Sequence, residues 1–182
     1  MSLVIIGSEG GIGRRLRRAF PDAIGVDRAP GADIEIDLAT ADVTAGPLGA
    51  ALSEAEAAIY LATPADPEAP EAAHFAALQT CTRFVSACAL LGVPRLVLPS
   101  SGWAAPAPPM QINAYGHSKR VIEALAEMYS CHPTRRAVAL RFGWVPADDA
   151  DVAGAADWLQ AVHWPQARLV AEVSRALGRA PT

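Results

Sequence analysis

Lysine is nearly absent from this chain. Of 15 basic residues among 182, fourteen are arginine and a single one, Lys119, is lysine. The basic residues are scattered and the formal net charge is −4, so the footprint of a nucleic-acid-binding surface is missing. Cysteine is scarce as well: Cys81, Cys88 and Cys131 are odd in number and lack the pairwise spacing of a zinc site, so no metal is expected. Cys81 and Cys88, seven apart in a helical stretch, read as small buried residues, and a reducing cytoplasm is the default compartment. Long apolar runs are absent too, none approaching the roughly 20 residues of a membrane span. The N-terminus runs straight into "LVIIG" without a basic flank or cleavage site, which predicts no secretory signal. What the chain does have is 52% hydrophobic residues, enough to build one core in one domain.

Short branched runs alternate with longer helical stretches, the pattern of a Rossmann-type, doubly wound parallel α/β sheet flanked by helices. The strands read as Leu3–Ile6, Ala23–Val26, Ile34–Ile36, Ala57–Ala62, Arg95–Leu98 and Arg136–Arg141. Helices are expected over Ile12–Phe20, Glu71–Leu91 and Ala114–Tyr129, with a short helical turn at Leu48–Glu54. Residues 1–145 therefore read as one sheet-bearing unit. Residues 146–182 form a short helical segment, with helices around Ala150–Leu159 and Gln166–Leu177. Two proline-rich loops, Thr63–Pro70 and Gly102–Pro109, come after strand ends, where open α/β sheets bind ligands.

"VIIGSEGGIGRRL" places Gly7, Gly10 and Gly13 between the first strand and the first helix. Glycines in that position allow a tight turn and bring backbone N–H groups to a pyrophosphate, which the helix N-terminus then stabilises. The second strand runs into "GVDR", where Asp27 is placed to accept hydrogen bonds from ribose hydroxyls and to repel a 2′-phosphate. That favours NAD over NADP, with Arg28 as the competing feature, since an arginine beside the ribose accommodates the phosphate. Asp37, in "IEIDLA", is read in two ways: as a turn-initiating residue, or as the acceptor for an adenine amino group with Leu38 packed on the ring.

The lone lysine stands four positions after one of only three tyrosines, in "YGHSK" (115–119). Chance puts a tyrosine at a given position with odds of 3 in 182, roughly 1 in 60. On a helix, i and i+4 share a face, so Tyr115 and Lys119 project together. A phenol ordinarily ionises near about 10, too high for a base at neutral pH, and a neighbouring ammonium favours the phenolate. So tuned, Tyr115 would exchange a proton with a substrate alcohol.

The motifs "GSEGGIG", "VDR", "IDLA", "AIYLATPA", "RLVLPSSG" and "YGHSK", spread over residues 3–145, resemble the short-chain dehydrogenase/reductase superfamily, in its extended, epimerase/dehydratase-like branch. The resemblance implies an NAD-dependent enzyme acting on a secondary alcohol or ketone of a small substrate, by hydride transfer. An isomerase or dehydratase that recycles bound NAD and a non-catalytic dinucleotide-binding protein are the alternatives. It assigns catalysis to Ser101, Tyr115 and Lys119, with Ser101 preferred to Ser100 for holding the substrate oxygen. It assigns cofactor binding to Gly7, Glu9, Gly10, Gly11, Ile12, Gly13, Asp27, Arg28, Asp37, Leu38, Leu61, Ala62 and Thr63, together with Tyr115 and Lys119, the lysine also on the nicotinamide ribose. It also suggests a homodimer joined through the helices 71–91 and 114–129.

Two features depart from that family. The Asn expected in the helix before the fifth strand is missing from "AALQTCTRF", with Gln79 or Thr80 as substitutes, and only residues 146–182 remain where a substrate region is usual. Trp103, Trp144, Trp158 and Trp164 all lie after strand five, where they either wall a small apolar pocket or seal the chain's end onto the sheet. His117 reads as exposed. His74, His132 and His163 lack metal-ligand spacing and receive no role.

Overall fold

The computed structural model describes residues 2–178. In chain order the elements are β1 (Leu3–Ile6), α1 (Gly11–Ala19), β2 (Ile24–Asp27), β3 (Ile34–Glu35), α2 (Gly46–Ser53), β4 (Ala57–Tyr60), α3 (Glu71–Leu91), β5 (Arg95–Ser101), α4 (Ala114–Tyr129), β6 (Arg136–Phe142), α5 (Asp157–Ala161) and α6 (Gln166–Ala176). The six strands form one parallel sheet in the order β3-β2-β1-β4-β5-β6. The winding reverses between β1 and β4, which opens a crevice at their carboxyl ends, where ligands of such sheets bind.

Period-two alternation divides the core. Val4, Ile6, Ala58, Tyr60, Leu96 and Leu98 face α2, α3 and α4, where they meet Leu48, Leu52, Phe84, Val85, Ile122 and Leu125. Leu3, Ile5, Ala57, Ile59 and Val97 face the other way and pack on Leu16 of α1 and Leu169 and Val173 of α6. The C-terminal segment is thus a layer of the sheet's own packing. Arg15 ties it further by donating to the Pro146 carbonyl and the Asp149 carboxylate, both at 2.9 Å.

The helix predicted over Ala150–Leu159 is a correction. That stretch holds a 3₁₀ turn at Asp149–Val152 and then the five-residue α5. Asp148 caps the turn by accepting from the Ala150 N–H, and Gly154 interrupts the residues between the turn and α5, so no amphipathic period is sustained. β5 is longer than predicted, extending to Ser101 through full pairing with β6, which places both serines of "PSSG" on the strand end. Among the described residues no helix is long and apolar enough to cross a membrane, and no group of His, Cys, Asp and Glu is placed to hold a metal ion.

Candidate active site

The loop after β1 is shaped by the absence of side chains. Gly7 has φ +79° and lies so close to the exit of β4 that a Cβ there would meet the Leu61 carbonyl carbon at 2.9 Å. At Gly13 a Cβ would stand 2.1 Å from the Gly7 oxygen, so α1 can start only where no side chain intervenes. Gly11 points into open space, and no side chain caps the first turn of α1. The leading amides of this helix are therefore uncapped donors beside a crevice, an arrangement suited to an anion.

Asp27 fastens this loop to the end of β2. Its carboxylate accepts from the Glu9 N–H at 2.9 Å and from the Ala29 N–H at 3.0 Å. Arg28 is exposed. Asp37 is exposed and accepts from the Ala39 N–H at 2.9 Å, a turn-initiating geometry. Leu38 is buried in the core on the side of α2, α3 and α4, and Ile12 packs partly against the opposite core.

Across β4, α4 brings side chains to the crevice. Asn113 caps this helix by accepting from the Gly116 N–H at 3.0 Å, while its Nδ2 donates to the Pro67 carbonyl and ties down the loop after β4. Gly116 lets the helix start press on the 3₁₀ turn Gly102–Ala104: a Cβ there would lie 2.3 Å from the Trp103 oxygen. Tyr115 (8% exposed), Ser101 (8%) and Lys119 (3%) are buried together. The Ser101 hydroxyl lies beside the Tyr115 phenol and favours its ionised form. Lys119 Nζ donates to Thr63 Oγ1 at 3.1 Å and stands 4.8 Å from the centre of the Tyr115 ring. Ser100 is engaged elsewhere, donating to Glu123 Oε1 at 2.6 Å within a Glu123–Arg141 ion pair.

Burial works against the lowering expected of the phenol. Burial raises the Tyr115 phenol above its ordinary range, and the neighbouring Ser101 hydroxyl only partly opposes this. Lys119 lies over the ring face, 4.8 Å from its centre, and is itself pushed down to about 8 by burial.

Of the tryptophans, Trp103 meets the Tyr115 ring edge-on at 6.4 Å, whereas Trp164 packs on Phe142 in the core under α6. Gln79 is exposed, and Thr80 turns its hydroxyl back to the Ala76 carbonyl, so neither stands in for the missing Asn. His74, which the sequence alone gives no role, is 3% exposed and meets Tyr115 edge-on at 5.6 Å. Its one sequence signal is that it stands a heptad before Cys81 and two before Cys88.

No protein-family model matches the chain, and no curated protein matches it. Solved structures do. A short-chain dehydrogenase/reductase superfamily protein from Agrobacterium tumefaciens with bound NAD superposes with a TM-score of 0.64 at 24% identity, over 79% of this chain and 49% of that one. MoeE5 in complex with UDP-glucuronic acid and NAD gives 0.66 at 22% identity, over 83% and 58%. TunA, an NAD-dependent NDP-hexosamine 5,6-dehydratase, gives 0.65 at 20%, over 83% and 58%. The fold is therefore the Rossmann fold of short-chain dehydrogenase/reductase-type proteins. The chain spans about half the length of these structures, 49–58%.

Proposed function

We propose that this chain binds NAD and is an oxidoreductase of short-chain dehydrogenase/reductase type, acting on a secondary alcohol or ketone of a small molecule. The observation that carries the reading is the buried Ser101–Tyr115–Lys119 cluster, joined through Thr63 to the β4 exit that also abuts the glycine loop. The residues suit the dinucleotide. Uncapped α1 amides at Gly11, Ile12 and Gly13 receive the pyrophosphate, Asp27 receives ribose hydroxyls, and the open face at Gly11 admits the group without a clash. Leu61, Ala62 and Thr63 border it from β4, and Lys119 holds the nicotinamide ribose. Bound NAD would supply the hydride acceptor or donor.

Ser101 holds the substrate oxygen and Tyr115 moves its proton. Tyr115 gives its proton to a ketone oxygen and takes one from an alcohol in the reverse direction. Trp103 lines the substrate side. Phe75, Leu90, Val121 and Met128, exposed on α3 and α4, support a homodimer through those helices. The three free cysteines suit a reducing cytoplasm.

The raised phenol favours a second reading, a dinucleotide-binding protein without turnover. Calorimetric titration with NAD and then NADP tests both readings, after the purified protein has been checked for carried-over dinucleotide. Micromolar NAD binding with weaker NADP binding supports Asp27 as the ribose acceptor, while preference for NADP assigns the site to Arg28. Absorbance of reduced cofactor in a ketone and alcohol screen then separates enzyme from binding protein. Folded, dinucleotide-free protein that takes up neither dinucleotide rejects the proposal.

A further inference from the structure

α3 delivers one polar side chain to the site that the proposed function leaves unused. His74 is buried, its ring meets that of Tyr115 at 5.6 Å with an interplanar angle of 62°, and its Nε2 is enclosed with no hydrogen-bond partner. Buried polar nitrogens are nearly always paired, so an unpaired one against a candidate acid/base calls for an explanation. The other groups near the phenol are committed. Ser101 Oγ accepts from the Trp103 N–H at 3.4 Å, and Lys119 Nζ is bonded to Thr63 Oγ1 at 3.1 Å. The Cys81 thiol, a heptad along α3, is kept protonated by burial, which pushes it up to about 12.

We propose that His74 is a positioning residue for Tyr115: its buried imidazole, with Nε2 unpartnered, contacts the Tyr115 ring and eases ionisation of a buried tyrosine. The aromatic contact also fixes the ring between α3 and the 3₁₀ turn that carries Trp103. The titratable groups around the cluster are Tyr115 and Lys119 from α4 and Cys81 from α3. Lys119 gives up its proton near 8, before the phenol ionises, and so does not mask the effect. The inference deepens the proposed acid/base role and rests on it for its catalytic meaning.

The test needs neither cofactor nor turnover. Burial pushes Tyr60 and Tyr129 far above the ordinary phenol range, so Tyr115 ionises first in an ultraviolet titration of tyrosinate, and Tyr115→Phe identifies its step. His74→Phe, which keeps the ring and removes the nitrogens, should raise that midpoint by about 0.5–1 pH unit, a loss of roughly three- to tenfold in the ionisation constant. His74→Asn, which keeps a polar nitrogen, should restore at least half of the difference. An unchanged midpoint in folded His74→Phe, or equal shifts in the two variants, overturns the proposal. If His74→Phe does not fold, nitrogen NMR of the wild-type imidazole serves instead: a resonance that moves as Tyr115 ionises supports the coupling, and a flat one overturns it. Failure of NAD to bind would remove the proposed function and leave this titration untouched.

Discussion

The loop after β1 and the cluster between β5 and α4 both press on the exit of β4, yet one is built from missing side chains and the other from buried ones. At the loop, Gly7 and Gly13 clear space for backbone, and the groups offered to a ligand are amides of α1 that no side chain caps. At the cluster, Tyr115, Ser101 and Lys119 are nearly enclosed, and their chemistry is set by what burial does to charge. A glycine loop is a geometric device, and adding an atom breaks it. A desolvated cluster is an electrostatic device whose shape survives an isosteric change that removes its chemistry.

The sharpest test of that contrast is Tyr115→Phe, which deletes one oxygen. Turnover should fall by about 10²–10⁴-fold, the span of a lost general acid/base, while melting temperature and NAD affinity stay near wild type. Retained turnover would move the proton chemistry off Tyr115.

Next in size is Lys119→Met, read through stability. Folded Lys119 loses its proton near 8, against an ordinary 10.5, because burial penalises the ammonium. Between those values the unfolded chain binds the extra proton, so the stability attributable to Lys119 rises with pH across that window, and below 8 the buried charge costs the fold. Cys81 and Cys88 act in the opposite sense, since burial keeps them protonated while unfolded thiols ionise above about 8.5. Comparing wild type with Lys119→Met cancels that contribution. Denaturant unfolding should find the Met variant more stable at pH 7 by up to about 3 kcal/mol, from about 1.4 kcal/mol per pH unit, with the gap closing toward pH 10. A gap independent of pH would mean that the lysine is not strained by burial.

The same contrast explains what could be read from the sequence. Tyr115 and Lys119 were legible because helical spacing puts i and i+4 on one face, and the glycine loop because its position after a strand has few other uses. Spacing does not say which part of a ring an ammonium approaches. Nζ lies over the ring face and donates to Thr63, and burial, which spacing does not show, works against the lowering of the phenol. His74 was hidden for a related reason: its partner is 41 positions away in sequence, on another helix (115 − 74). Its heptad relation to two cysteines marks a buried face and nothing more. The helix expected over 150–159 failed because a run of alanine and aspartate fits a helix by composition, while Asp148 and Gly154 end it locally.

Gly13→Ala tests the geometric side. The added methyl would fall 2.1 Å from the Gly7 oxygen and 2.7 Å from the Ser8 oxygen, both backbone atoms held by β1 and its pairing with β2. Overpacking of this kind costs about 1–3 kcal/mol, and the loop shift should also weaken dinucleotide binding. Gly11→Ala is the control, since nothing lies within 4 Å of its added carbon, and it should leave stability within about 0.5 kcal/mol. If calorimetry and urea unfolding found the two variants alike, the loop would not depend on close backbone approach.

The smallest effect belongs to the carboxylate that occupies Ser100. Hydrogen bonds from Arg141 and Ser100 hold Glu123 below the usual carboxylate range. A lowered folded value means that the contribution is full above the unfolded value of about 4.3 and is lost as pH falls through the folded one. Arg141 is 49% exposed, so solvent screens the pair, and Arg141→Ala should cost no more than about 1 kcal/mol at pH 7. The cost should shrink in urea melts at acidic pH, where wild type and variant converge. If Arg141→Ala instead lowered turnover sharply at unchanged stability, Ser100 would belong to the chemistry with Ser101, and the division of labour between these adjacent serines would have to be redrawn.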